Sequence, residues 1–507
     1  MQRPAERHSP AFDVGGANKM KLKLMILTAA LAALAASATA PARAEGKKVL
    51  AHYMPWFVAR PFSSSWGWHW TMNHFDPDKT DSATGHQQIA SYYYPLIGPY
   101  DSADPAVLEY HVLLMKLAGI DGVIVDWYGQ DDFYDYAVNN TRTLELFKFT
   151  RKAGLSFCLC YEDATVQHEI DGGLFPASGA VAHARQTLLY AQAQFFNDPG
   201  YLRWNNAPVL LNFGPQYFRG GADWTALFSP LAPDGRPALF TEDHRVDPAG
   251  TGGFDWPPMS ASAGPELSRA ALNEYLTAFG RKAAAWPAFV SSAFPRFHDI
   301  YSVAGAQRSF PWLKDDDGAT LRDTLALAMT NGSAFVQLVT WNDFGEGTII
   351  EPTTQYGCRD LAIVQESRRH YLEPGFPFQT NDLALPMRLF QLRRQFGTTN
   401  PVLAAEMDRI FTNIVSGNLT AAGLELTGME SGVPIIYNAS ATNGQLQFSI
   451  GGYLSGTGLE VRSSSALAPD AWATVTNLSV STNLPFLSAS LPPDNPGMFV
   501  RVQSAVP

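Results

Sequence analysis

Asp343 and Glu346 stand three residues apart in the run Trp341-Asn342-Asp343-Phe344-Gly345-Glu346-Gly347-Thr348, directly after an apolar stretch. Two carboxyl groups that close, in a loop that glycine lets bend toward a ligand, could hydrolyse a glycosidic bond. One would protonate the departing oxygen while the other activates the attacking group. As a bare spacing the pair says little, because solvated loop acids and helix caps produce it too. The apolar run before it and Glu351-Pro352 after it give it context. Other chemistries lack their parts: there is no nucleophile elbow G-x-S-x-G and no H-E-x-x-H. Cys158, Cys160 and Cys358 make no zinc spacing with the histidines, and Cys158 and Cys160, two apart on one strand, read as buried structural thiols. Asp315-Asp316-Asp317-Gly318 lacks the further oxygen ligands of a calcium loop and reads as a solvated turn. No cofactor and no metal are expected.

The elements that must position this pair repeat. Apolar, β-rich runs fall at 49–54, 122–127, 156–161, 208–213, 238–242, 253–256, 288–294 and 334–340, several hydrophobic throughout, as parallel strands buried on both faces are. Helical patterns lie between them, including 107–118 ending at Gly119, 141–153 ending at Gly154, and 321–329 before Asn331-Gly332. Eight strand-then-helix units predict an α/β fold, a (β/α)8 TIM barrel, whose active site belongs at the C-terminal strand ends. Those ends carry Tyr53 and Trp56, Asp126-Trp127-Tyr128, Tyr161-Glu162, Asn212, Glu242, Trp256, and Trp341-Asn342 ahead of the acid pair. Acids and aromatic rings recurring at one end suit a sugar site, although helix N-caps fall at strand ends too. Trp66, Trp68 and Trp70, in a Gly- and Ser-rich loop, read as a stacking platform, with core packing the alternative. Tyr92, Tyr93 and Tyr94 could line the same cleft. Asp126 could orient a sugar hydroxyl or bond a buried backbone group, and Glu242 could bind sugar or hold Arg245.

The chain has 507 residues, 46% hydrophobic and 16% charged, which suits a large globular domain plus a small one. A net charge of −11 without a basic run in the mature part excludes a nucleic-acid partner. Lys21 and Lys23, the apolar run 24–35 and Ala42-Arg43-Ala44 have the three parts of a secretory signal starting at Met20 and cut after Ala44. An uncleaved membrane anchor is the alternative. After cleavage no membrane span is expected. Past the barrel, 386–396 and 402–415 look helical. From about residue 424 charge thins and Ser, Thr, Asn, Gly and Pro dominate, with alternating runs at 433–437, 445–450, 459–463, 471–475 and 498–502. The expected organisation is therefore a signal at 1–44, a barrel at 45–395, a helical linker at 396–423 and a small all-β sandwich-like C-terminal domain at 424–507. Tyr453 and Trp472 are its few aromatics that could be exposed.

Thr340–Pro352, reading TWNDFGEGTIIEP, resembles the catalytic segment shared by glycoside hydrolase families 71 and 99. Trp341-Asn342-Asp343 is similar to family 71, which contains α-1,3-glucanases. Gly347-Thr348 and Ile350-Glu351 are similar to family 99, which contains endo-α-mannosidases. His52-Tyr53-Met54-Pro55-Trp56 and the stretch from Gly119 to Tyr128 resemble the same pair of families, and the likeness spans roughly residues 48–375. The resemblance implies a hydrolase of an α-linked poly- or oligosaccharide, with Glu346 as general acid and Asp343 as general base; with the signal pattern, the expected protein is secreted, and it is expected to be a monomer. It adds His52 and Glu351 to the expected substrate-binding set. Family 99 has Glu where this chain has Asp343, whose carboxylate sits one methylene further back. A noncatalytic glycan-binding protein on the same barrel is the alternative, and the acid pair argues against it.

Overall fold

The structure is a computed structural model. It describes residues 46–432 apart from Thr398, together with the backbone of seven strands between residues 435 and 504. The expected signal segment lies outside the described residues, as do Tyr453 and Trp472.

Eight strands form the centre: β1 (Lys48–Tyr53), β2 (Gly122–Trp127), β3 (Ser156–Tyr161), β4 (Ala207–Asn212), β5 (Ala238–Glu242), β6 (Gly250–Phe254), β7 (Val290–Ala293) and β8 (Phe335–Leu338). Each pairs in parallel with the next. β8 returns to β1, through Lys48 opposite Phe335 and Ala51 opposite Leu338, and closes the barrel. Closure leaves no edge among the eight, and a two-residue strand, Arg203–Trp204, runs antiparallel along β4. β1, β2 and β3 are buried almost end to end, which is why their sequences are continuous apolar runs. Seven of the eight expected runs overlap their strand closely. The sixth was expected at 253–256 and is found at Gly250–Phe254. A Cβ on Gly252 would lie 1.8 Å from the Ala288 carbonyl oxygen, so the close approach of the next segment demands glycine there. The strand therefore carries little of the usual β-branched signal.

Helices coat the strands. α1 (Pro105–Ala118) starts with Asp104 accepting a hydrogen bond from the Ala106 amide and with proline in its first turn. α2 is Tyr136–Ala153 and α3 is Ala319–Thr330. Leu113, Val123, Leu159, Leu210 and Leu325 are among the fully buried side chains between the layers. Each such residue contributes roughly 1.5–3 kcal/mol through its removal from water.

Three more helices, α4 (Leu385–Phe396), α5 (Pro401–Val415) and α6 (Leu419–Ser431), pack outside α1. Arg393 forks onto Glu109 of α1 at 3.0 and 2.8 Å, Arg394 pairs with Asp104, and the Phe390 ring lies 5.5 Å from that of Tyr110. Arg388 of α4 holds Glu430 of α6 at 2.7 Å, and Glu425 of α6 bonds Arg409 and Asn413 of α5. These contacts correct two expectations. Residues 396–423 are packed helical structure rather than a linker, and a boundary at 424 would fall inside α6. The Thr, Gly and Ser content from residue 424 onward suggested the β module. Yet Ala422, Leu426 and Met429 recur at helical spacing and are buried.

Beyond residue 434 the described strands are antiparallel. Ile435–Thr442, Gln445–Gly451, Leu487–Leu491 and Ser479–Ser481 form one sheet, and Ala473–Thr474, Leu459–Ser464 and Phe499–Ser504 another. They include each of the five runs read as strands, shifted by a few residues, and two more.

Candidate active site

The loop after β8 is fixed from behind before it offers its acids. The Trp341 amide donates to the His52 carbonyl. Asn342 accepts from the Met54 amide at 2.8 Å and donates to the Met54 carbonyl at 3.0 Å, so the loop is stitched to the end of β1. The Thr340 hydroxyl accepts the Asp343 amide, and the Asp343 carbonyl accepts the Gly347 amide. Gly347 has φ +68°, and a Cβ there would lie 2.7 Å from the His298 carbonyl oxygen and 2.8 Å from the Tyr93 ring. Any side chain would push the turn off its support. From the other side the His298 and Ile300 amides donate to the carbonyls of Glu346 and Gly345. Little of the loop's backbone is left to wander.

Asp343 and Glu346 so held face a cavity of about 230 Å³ at the C-terminal mouth of the barrel. Its walls include His52, Trp56, Trp68, Asp126, Tyr128, Glu162 and Trp256 from the expected set. Trp56 stacks on His69 at 4.1 Å with the rings 5° from parallel, and Trp256 meets the edges of His52 and Phe213. Polar groups point in unanswered. Trp56 Nε1 and Glu346 Oε2 are buried atoms without a hydrogen-bond partner among the described residues, whereas Asp126 is engaged by Tyr128 and His52 by Gln337. Buried polar atoms are ordinarily satisfied, so orphans at a cavity call for a ligand rich in hydroxyls.

The electrostatics separate the acids. Burial raises the Asp343 carboxyl to about 6, against the pull of the Glu346 amide, which donates to Oδ1 at 3.0 Å, and of the Gly345 amide. Glu346 is driven well above the carboxylate range by burial, then by the charges of Asp343 and Asp299. The Tyr301 hydroxyl, 3.4 Å from Oε1, offsets this only in part. Both carboxyls are raised, and Glu346, next to the charge of Asp343, is the one more strongly held toward its protonated form. Across the cavity Asp126 is pushed well up by burial and by Glu162. Glu162 is raised to about 7 by burial and by Asp163, while accepting a hydrogen bond from Asp126. Burial lowers His52 to about 4, so its imidazole is neutral.

The remaining expected contacts are not in the cavity wall, and each departure has a local cause. Tyr53, Trp341, Asn342 and Glu351 are buried behind the loop that carries Asp343 and Glu346. The Tyr53 hydroxyl lies 2.9 Å from His111 Nδ1, Glu351 accepts from the Tyr100 hydroxyl at 2.7 Å and faces His111 Nε2 at 3.2 Å, and Trp341 packs edge-on to His111. The Tyr53 hydroxyl, Glu351 Oε2 and the Asn342 amide are thereby engaged behind the loop, while Trp341 Nε1 has no hydrogen-bond partner among the described residues. Trp70 is fully buried between Phe57 and Phe344 and donates to the Tyr100 carbonyl at 2.8 Å, which makes it core. Trp127 donates to Asn140, Tyr161 packs on Trp127, and Asn212 donates to the Tyr161 carbonyl at 2.8 Å, so these three face the helices. Trp66 donates to Asp78 on the surface. Glu242, raised to about 7 by burial and then Asp243, stands outside the cavity. Of the three loop tryptophans only Trp68 reaches the cavity, with 45% of its surface exposed.

The cavity also uses Phe57, His69, Met72, Phe213 and Tyr301, which were not expected. His69 lies between two of the chosen tryptophans and could have been read with them. Tyr301 arrives from the loop after β7 and nothing local marks it. Among the described residues two groups bring three potential metal ligands within 4.8 Å: His52, Asp126 and Cys160 under the cavity, and Asp131, Glu169 and His183 beside it. Burial raises the Cys160 thiol well above its usual range and keeps it protonated, unlike the thiolate that ligates metal. Cys158 is likewise buried, and all three cysteines are free.

Residues 46–167 match the model of Glycosyl hydrolase family 99. The matched stretch is family-99-like and contains β1 to β3, with His52, Asp126 and Glu162, but ends before the loop that carries Asp343 and Glu346. A glycoprotein endo-α-1,2-mannosidase-like protein of Danio rerio is 34% identical over 84 residues, 15% of this chain and 19% of that one. The glycoprotein endo-α-1,2-mannosidase of Rattus norvegicus is 33% identical over 91 residues, 16% and 20% of the two chains. The chain thus spans about a fifth of the length of the curated relatives it matches. Among solved structures, a family 99 endo-α-mannosidase from Bacteroides thetaiotaomicron is similar at 17% identity and a TM-score of 0.46, covering 63% of this chain and 97% of that one.

Proposed function

We propose that this chain is a glycoside hydrolase that cleaves internal α-linked bonds of a glycan, with Glu346 as general acid and Asp343 as general base. The observation that carries the reading is one cavity in which a rigid loop presents both carboxyls amid aromatic rings and unanswered buried polar atoms. The stronger upward push on Glu346, from burial and from the charge of Asp343, supports its assignment as the acid. Glu346 gives its proton to the departing glycosidic oxygen as the bond to the anomeric carbon breaks. The aromatic walls take the apolar faces of the sugar rings. Asp126, Glu162 and the neutral His52 take hydroxyls.

The similarity to endo-α-mannosidases supports an α-mannoside as substrate. In an α-mannoside the 2-hydroxyl is axial and trans to the axial leaving group. Asp343 would remove its proton, O2 would displace the aglycone to form a 1,2-anhydro sugar, and water would open that ring with overall retention. A second reading, an α-glucan, is favoured by Asp343 itself. Its carboxylate lies one methylene further back than the family's Glu, which leaves room for water. An α-glucoside's equatorial 2-hydroxyl cannot attack from behind, so Asp343 would activate that water and invert the centre. Digestion of α-mannans and α-glucans of defined linkage, with products sized by mass and their anomers followed by NMR, separates the readings. Release of oligosaccharides from mannan with retention supports the first, and inverted products from glucan support the second. Binding of both polymers without any cleavage would leave a noncatalytic glycan-binding barrel.

A further inference from the structure

Outside the cavity a second groove of about 420 Å³ runs along the segment 74–94, with Gln355 at its far side. Its size falls in the range of small-molecule clefts, roughly 300–1,000 Å³. Its side chains offer hydroxyls, amides, imidazoles and one acid, and no lysine or arginine. Asp81 is committed to the Ala83 and Thr84 amides and the Thr84 hydroxyl. Such a lining suits a neutral, hydroxyl-rich ligand.

One ring in it is placed differently from a stray surface aromatic. Tyr92 is 42% exposed, yet its ring stacks on His298 at 3.9 Å, only 5° from parallel. His298 in turn stacks on Trp312 at 4.7 Å. Lys314 covers the Trp312 ring at 5.2 Å, so that end of the stack is occupied, whereas Tyr92 opens onto the groove. A ring already immobilised loses little freedom when a ligand lands on it. The stack is also coupled to the chemistry. The His298 amide holds the Glu346 carbonyl at 2.8 Å, and the His298 carbonyl and the Tyr93 ring enclose Gly347.

We propose that the groove at Tyr92 is a remote carbohydrate-binding site that holds neutral sugar residues of the chain whose scissile bond lies between Asp343 and Glu346. This rests on the glycosidase reading and deepens it, since a chain gripped at both places is cut internally. Stacking on the apolar face of a pyranose provides the grip. The Gln88 amide and the Gln355 amide nitrogen provide hydroxyl partners, Gln87 being held by the Pro77 carbonyl.

The test compares Tyr92→Ala and Tyr92→Phe with wild type on a long oligosaccharide of the sugar cleaved and on its short aryl glycoside. Tyr92→Ala raises the ratio of the long-chain KM to the short-substrate KM by about tenfold, and Tyr92→Phe, which keeps the ring, leaves that ratio within twofold of wild type. An unchanged ratio in Tyr92→Ala overturns the proposal, as does an equal loss with both substituents. Retention of the intact protein on gels containing immobilised α-mannan or α-glucan gives a readout independent of turnover. If wild type cleaves nothing but is retained, and Tyr92→Ala runs free, the binding site stands and the catalytic reading falls. If wild type is retained by neither polymer, the binding site is overturned.

Discussion

At the residue scale the separation of two carboxyl roles is the property most open to measurement. Asp343→Asn and Glu346→Gln keep shape and hydrogen bonding, so each should leave the fold intact and cut kcat by roughly 10²–10⁴-fold, the usual weight of a general acid or base. An activated leaving group such as fluoride needs no proton, so it should restore turnover to Glu346→Gln and not to Asp343→Asn. Rescue of the aspartate variant instead would reverse the roles. The pH profile carries the same information. Activity requires Asp343 ionised, so kcat/KM should rise with pH through about 6. It also requires Glu346 protonated, so the rate should fall again on the alkaline side, where that raised carboxyl loses its proton. Glu346→Gln, assayed with the fluoride, should lose the alkaline limb and keep the acidic one. A profile flat from pH 5 to 8 would contradict both assignments. Trp68→Ala should raise KM several-fold with little change in melting temperature, because the ring is half exposed at the cavity. Trp70→Ala should instead destabilise by roughly 3–5 kcal/mol, the cost of deleting a fully buried ring. Thermal denaturation beside Michaelis kinetics separates the two.

At the element scale, strand parity explains which expected site residues held their place. Successive side chains on a strand point to opposite faces. On β1, β2 and β3 the positions His52, Asp126 and Cys160 face the barrel interior, so Tyr53, Trp127 and Tyr161 must face the helices. Asn212 pairs in register with Tyr161 and shares its outward face. All of these were legible as strand ends, and counting by two would have sorted them without coordinates. The acid pair was legible because a single contiguous loop carries it. Tyr301 and Phe213 were not, since only the closed barrel brings the loops after β7 and β4 over the same cavity. β6 was displaced because steric demand for glycine erased its strand signal. The end of the barrel domain was misjudged for a related reason, composition having hidden the helical spacing of α6. Its packing sets a prediction. Removal of residues 433–507 should leave a single cooperative unfolding transition, whereas removal from 424 onward should lower the melting temperature. The longer deletion strips Glu425 from Arg409 and Asn413, Glu430 from Arg388, and Leu426 and Met429 from the core. Equal melting temperatures for the two truncations would show α6 to be dispensable.

At the scale of the whole molecule, the N-terminus and the cysteines bear on where the protein works. The folded domain is already engaged at Lys47, whose ammonium donates to the carbonyls of Ala328 and Asn331 at 3.0 and 2.6 Å, and β1 follows at once. A cut after Ala44 would therefore cost the barrel none of these contacts. No helix among the described residues is long and apolar enough to cross a membrane. The thiols of Cys158 and Cys160 are fully buried and unpaired, so an oxidising compartment would find little to act on there. From the signal-like pattern of residues 20–44 in the sequence we propose that the chain is exported and processed. N-terminal sequencing of the protein recovered outside the cytoplasm should read from Glu45, and thiol titration after denaturation should count three free cysteines. Recovery in the membrane fraction with the residues before Ala44 still attached would favour the uncleaved anchor. It would place the same barrel at a membrane surface.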